Sequence, residues 1–117
     1  MFTITKEFVF DASHRLIGLA ENHPCTHLHG HTYKVIVELT ATKLNEVGMV
    51  LDYHDLDPIK DYISKVYDHK HINDVINMNP TAEIIANVLF EKFKPTFPQL
   101  SAIIVKETAN TSARYEI

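Results

Sequence analysis

From Cys25 to Tyr33 the chain reads C-T-H-L-H-G-H-T-Y, which gathers its only cysteine and three of its eight histidines. Imidazole is the commonest metal ligand and titrates near neutrality, so this excess of histidine points first to metal binding or proton transfer. His29 and His31 are two residues apart. In extended chain they project from one face, within reach of one ion, while Gly30 leaves the other face without a side chain. His14 keeps the parity of Phe8, Phe10 and Ala12, and a first strand that runs so far and pairs with the second brings a third imidazole to the pair. Three neutral histidines with an open fourth position form a catalytic zinc arrangement, with Zn–N distances of about 2.0–2.1 Å. Neutral ligands leave the full charge of the ion available to polarise a hydroxyl or carbonyl. The same spacing also fits a solvated H-x-H loop and a histidine that ends a strand, because the pattern is short.

Other groups extend the chemistry. A lone cysteine is commonly a small buried hydrophobe, but Cys25 lies in a polar loop four residues before His29. A cation nearby lowers a thiol's pKa and frees the thiolate as base or nucleophile. Asp68 and His69 stand where a helix should end. They are read either as a histidine favoured by the helix C-terminus or as an imidazole oriented by a carboxylate for proton transfer. Adjacent side chains rarely face each other, which favours the first reading. Glu107 shares the parity of Ile103 and Val105, so its carboxylate points to the apolar face. It needs a partner there, either an internal cation or a ligand with several N–H donors.

The chain that must position these groups has 117 residues, 45% of them hydrophobic and 22% charged, the composition of one ordinary globular domain spanning 1–117. A formal charge of -4 disfavours nucleic acid as a partner. No segment reaches the roughly 18 apolar residues of a membrane span, and Met1 to Lys6 lacks the apolar block of a signal peptide. One cysteine forms no internal disulfide, so a cytoplasmic setting is expected.

Alternation predicts a strand over Phe2 to Phe10, an irregular stretch from Ile17 to Leu28, and a second strand over His31 to Thr42. Leu44 to Gly48 reads as a turn, and Met49 to Leu51 resumes an extended path. Asp57-Pro58 supplies a cap and a first-turn proline for a helix with Leu56, Ile59, Ile63, Val66 and Tyr67 on its apolar stripe. Asp68 to Met78 reads as loop. Asn79-Pro80-Thr81 opens a second helix, with Glu83 in its first turn and Ile85, Val88, Leu89 and Phe93 buried, ended by Pro95 and Pro98. Ser101 to Thr108 and Ser112 to Ile117 form a closing hairpin. The order β-β-α-α-β-β predicts an α+β domain, an antiparallel sheet with both helices on one face.

The motifs F-D-A-S-H-R-L (Phe10 to Leu16), C-T-H-L-H-G-H (Cys25 to His31), D-H (Asp68, His69), N-P-T-A-E (Asn79 to Glu83) and K-E-T (Lys106 to Thr108) occur in that order over nearly the whole chain. Together they resemble the 6-pyruvoyl-/6-carboxy-tetrahydropterin synthase family. The resemblance implies the tunnel fold, a four-stranded antiparallel sheet with two helices. It also implies a barrel completed by oligomerisation and a homohexamer of two trimers with sites at subunit interfaces. It makes His14, His29 and His31 zinc ligands, Cys25 the thiolate that takes a substrate proton, and Asp68 with His69 the partner acid/base pair. Glu107 becomes the anchor of the pterin, assisted by Thr81, Ala82 and Glu83. The implied substrate is 7,8-dihydroneopterin triphosphate.

Members of that family differ in product. Carboxy enzymes are carbon–carbon lyases that release acetaldehyde and triphosphate and leave 6-carboxy-5,6,7,8-tetrahydropterin for queuosine and other 7-deazaguanines. Pyruvoyl enzymes are carbon–oxygen lyases that eliminate triphosphate and keep the side chain. The three-residue gap between Cys25 and His29 and the short chain resemble the carboxy branch. Thr26-His27 stands where many carboxy members have an arginine. Arg15, Lys34 and Lys106 are the candidate cations for the triphosphate. A non-catalytic paralogue that binds pterin or zinc is the rival reading, and the intact Cys25, Asp68 and His69 argue against it.

Overall fold

The computed structural model describes all residues from Met1 to Ile117. Its backbone is a long antiparallel ladder. β1 (Phe2–His14) and β2 (His29–Ala41) pair from Phe2 opposite Ala41 to His14 opposite His29. Both strands outrun their expected limits of Phe10 and His31. Asp11 and Ser13 fall on the solvated face, so they interrupt the apolar signal without interrupting the pairing. Phe8, Phe10, Ala12, Tyr33, Val35, Val37 and Leu39 line the buried face, and Thr3, Thr5, Glu7, Val9 and Asp11 point the other way.

β2 also pairs with β4 (Leu100–Lys106), and β4 with β5 (Ala113–Glu116), both antiparallel. The closing hairpin is therefore as expected, although both strands are shorter than read. The sheet itself needs correction. A two-residue strand, β3 (Lys70–His71), pairs in parallel with Ala12 and Ser13 of β1. The result is a five-stranded mixed sheet in the order β3-β1-β2-β4-β5, not a four-stranded antiparallel one. Two residues carry no alternation, so nothing in Asp68 to Met78 distinguished β3 from loop.

The two helices cover one face. α1 (Asp57–Val66) buries Ile59 and Ile63, with Leu56 and Tyr67 buried at its ends, while Val66 is half-buried. Its entry differs from expectation. Asp57 lies inside the first turn and Leu56 precedes it without a side-chain cap. The capping carboxylate is Asp52, which accepts from the His54 N–H at 2.9 Å and opens a 3₁₀ turn over Tyr53–Leu56. Met49 to Leu51 is consequently not a strand. The turn before it is as read: the Asn45 carboxamide oxygen accepts from the Val47 and Met49 N–H groups, and Gly48 takes a φ of 88°.

α2 (Ala82–Phe93) starts where expected, with the Thr81 hydroxyl accepting from the Ile84 N–H at 3.2 Å. Ile85, Ala86, Leu89, Phe90 and Phe93 are buried against the sheet, and Phe90 stacks on Tyr115 of β5 at 5.1 Å. No helix is long and apolar enough to cross a membrane.

Candidate metal centre and adjoining pockets

The last rung of the β1–β2 ladder pairs His14 with His29, and two rungs further in, on the same face, Ala12 pairs with His31. One ring nitrogen from each of the three histidines lies within 4.8 Å of the others. Their rings pack edge to face, with centroids 4.5 to 5.2 Å apart. Tyr33, stacked on Phe10, closes the cluster from below with its ring edge-on to both His14 and His31.

Hydrogen bonding fixes two of the tautomers. A carbonyl can only accept, so His14 donates from Nδ1 to Pro80 O at 2.8 Å and His29 donates from Nδ1 to His27 O at 2.7 Å. In neutral rings the two Nε2 atoms therefore both carry lone pairs, yet they stand 2.8 Å apart. Neither can donate to the other, and a cation shared between them resolves the contact. His31 Nε2 is buried with no hydrogen-bond partner at all. Backbone carbonyls that orient ring nitrogens are a usual outer shell of metal-bound histidines.

Burial holds His14, which is 1% exposed, and His31 below the ordinary imidazole pKa. The Glu107 carboxylate opposes that effect on both rings, as does the Pro80 carbonyl on His14. Burial thus favours the uncharged forms of His14 and His31, and with His29 they gather three ring nitrogens, one of them without a partner, a donor set that fits a divalent transition metal.

Glu107 lies just past β4, and its Oε2 is 3.8 Å from His31 Nε2. It also lines a pocket of about 380 Å³ with Ala82, Glu83, Thr111, Ser112 and Arg114. The expected substrate residues Glu107, Ala82 and Glu83 are therefore brought together. Thr81 caps α2 instead of lining this pocket. Thr111 and Ser112, in the link between β4 and β5, and Arg114, inside β5, were not anticipated, because no motif marks them.

Asp68 and His69 do face each other. His69 takes a left-handed φ of 60°, which turns the ring back so that Nδ1 is 3.1 Å from Asp68 Oδ2. Asp11 fixes both: its N–H donates to Asp68 Oδ1 at 3.0 Å, and its carbonyl accepts from the His69 N–H at 2.6 Å. The Asp11 N–H, aided by the His69 ring, holds the Asp68 carboxyl below its usual range. The His69 side chain is 79% exposed. It lines an open cavity of about 540 Å³ together with Asp11, Ser13, His31, Thr32 and His71.

Cys25 is half-buried in a 3₁₀ turn over Pro24–Thr26 and is not a member of the three-nitrogen cluster. His27 is exposed and lends only its carbonyl to His29. Lys34 and Lys106 stand opposite each other across β2 and β4, on the face away from the histidines, with Lys34 3.6 Å from Glu7. Arg15 is exposed beyond the end of β1.

Known proteins share this arrangement of chain. The sequence profile of the 6-pyruvoyl tetrahydropterin synthase family matches residues 3–117. The 6-carboxy-5,6,7,8-tetrahydropterin synthase of Synechocystis sp. is 36% identical, covering 98% of this chain and 93% of its own length. That of Haemophilus influenzae is 32% identical, covering 99% of both. Among solved structures, the 6-pyruvoyl tetrahydropterin synthase of Caenorhabditis elegans superposes with a TM-score of 0.86 at 24% identity, over 99% of this chain and 95% of that one. A protein from Wolinella succinogenes superposes with a TM-score of 0.87 at 26% identity, over 98% and 97%. A profile matched from Thr3 to the last residue, on a fold shared almost end to end, makes this chain a member of the 6-pyruvoyl tetrahydropterin synthase family.

Proposed function

We propose that the protein converts 7,8-dihydroneopterin triphosphate and water to 6-carboxy-5,6,7,8-tetrahydropterin, acetaldehyde and triphosphate, as a zinc-dependent carbon–carbon lyase serving 7-deazaguanine synthesis. The observation that carries the reading is the cluster of His14, His29 and His31, with two opposed Nε2 atoms 2.8 Å apart and a third ring nitrogen left unpartnered, beside the Glu107 pocket. The names of the relatives at 36% and 32% identity support the carboxy product.

His14, His29 and His31 would hold the zinc. Bound there, it supplies Lewis acidity toward the hydroxyls of the substrate side chain. Glu107 receives the N–H edge of the pterin, with Ala82 and Glu83 on the pocket wall. Cys25 takes a proton from the side chain, and His69, oriented by Asp68, moves a proton on the other side. No hydrogen bond joins His69 to Cys25 within one chain. A trimer or hexamer with sites at subunit interfaces, in which the sheets join into a barrel, would bring one chain's His69 to another chain's histidine cluster. A reducing cytoplasm suits the free thiol.

Incubation of the purified protein with 7,8-dihydroneopterin triphosphate, read by mass spectrometry, tests the assignment. Acetaldehyde with a carboxypterin is expected. The matching family profile carries the pyruvoyl name, so triphosphate release with a three-carbon side chain retained is the second reading, and that product alone would replace the first. A Cys25→Ala variant is expected to bind pterin and lose turnover. Equal turnover would remove the thiol from the reaction.

A further inference from the structure

Between His14 and the short turn at Pro24 the chain has no regular structure, yet its first residues are tied at both backbone groups. The Asn73 carboxamide accepts from the Arg15 N–H at 2.9 Å and donates to the Arg15 carbonyl at 3.0 Å. Asn79 does the same for Ile17, accepting and donating at 3.0 Å. Each carboxamide takes the place of a neighbouring strand's peptide. Arg15 and Ile17 share parity, so Leu16 between them turns its N–H to the opposite edge, where it donates to the Cys25 carbonyl at 2.8 Å. One edge of this three-residue rail is gripped by two asparagines, and the other edge holds Cys25.

The residue type is demanded by the geometry. A carboxamide offers an acceptor and a donor at the tip of a short side chain, which a carboxylate cannot do and a glutamine does only with an extra methylene. The grip also has a common frame with the histidines. Asn73 sits in the 3₁₀ turn over Ile72–Asp74, and Asn79 immediately precedes Pro80, whose carbonyl orients His14. The single connection from Ile72 to Thr81 thus sets both the ring of a proposed metal ligand and the rail that carries the thiol.

We propose that Asn73 and Asn79 are positioning residues that fix Cys25 relative to the three-histidine cluster, acting through Leu16. This rests on the proposed role of Cys25. The test compares wild type with Asn73→Ala, Asn79→Ala, the double variant and Asn79→Asp. Zinc content, melting temperature, KM and kcat are measured alongside the rate at which iodoacetamide labels Cys25, the only thiol. Zinc per chain and KM are expected to stay near wild type while kcat falls, by about a hundredfold in the double variant. Asn79→Asp should fall with Asn79→Ala, because a carboxylate cannot donate to the Ile17 carbonyl. The labelling rate should shift at temperatures where each variant is fully folded. Wild-type kcat and labelling in the double variant would overturn the proposal, as would losses that simply track unfolded protein or missing zinc. If the wild type turns over no pterin, the functional reading fails, and the labelling comparison still decides whether the two asparagines hold Cys25.

Discussion

Two groups of side chains here have the composition of a metal site. His14, His29 and His31 close one end of the β1–β2 ladder, and Asp11, Asp68 and His69 gather at its outer edge, each set with its ligand atoms within 4.8 Å of one another. In the first, burial favours the neutral form of His14 and His31 and leaves a nitrogen without a partner. In the second, the members satisfy one another: Asp68 is bound by the Asp11 N–H and the His69 ring, and Thr32 donates to the Asp11 carboxylate. Unmet bonding capacity in a desolvated place calls for a ligand, whereas satisfied polar groups at the surface are an orienting device. On the proposed reading the same residue types divide into a place to hold an ion and a place to aim a proton carrier.

The sharpest way to break this division is His69→Ala. An oriented acid/base contributes about a hundredfold or more to rate, so kcat should fall by that order while metal content stays at the wild-type level. Metal lost along with activity would merge the two sites. Glu107→Gln comes next. Losing a charged partner for the pterin should raise KM about tenfold or more, with metal retained, in a titration of rate against substrate. An unchanged KM would remove Glu107 from binding.

Acid separates the two groups as well. For His14 and His31 the folded pKa lies below the ordinary 6.5, so the unfolded chain takes protons first as pH falls. The metal-free protein should lose stability from about pH 6.5 downward until the folded values are passed. The Asp68 carboxyl is likewise depressed from its ordinary 3.8, so its contribution is intact above that pH and lost only as pH falls below it. Denaturant titrations of the apo protein across pH should show both limbs, and Asp68→Asn should flatten only the lower one. The smallest effect is a control. Tyr67 is buried with its hydroxyl unpartnered and belongs to neither group. Tyr67→Phe should leave stability unchanged or raise it by up to about 1 kcal/mol.

How much of this was legible depended on whether a residue's role repeats along the chain. Parity alone directed His14, His29 and His31 to the buried face, since alternation persists over many residues. It also directed Glu107 there. Proline and threonine chemistry located α2 through Thr81. What stayed hidden has no period. β3 is two residues held by β1, and the capping role of Asp52 replaced that expected of Asp57. The facing of His69 toward Asp68 depends on one left-handed backbone angle that a non-glycine residue seldom adopts. Pro80 O, which sets the His14 tautomer, is a backbone atom and leaves no mark in the sequence beyond the proline itself. Lys34 and Lys106 illustrate the reverse: charge suggested an anion site, and strand parity turned both away from the histidines.

Metal analysis on four proteins tests the central claim most directly: wild type, His29→Ala with His31→Ala, Asp68→Asn with His69→Ala, and Cys25→Ala. About one zinc per chain is expected in the wild type, none in the histidine pair, and undiminished zinc in the other two. Zinc retained by the histidine pair, or lost from the Asp68/His69 pair instead, would contradict the account.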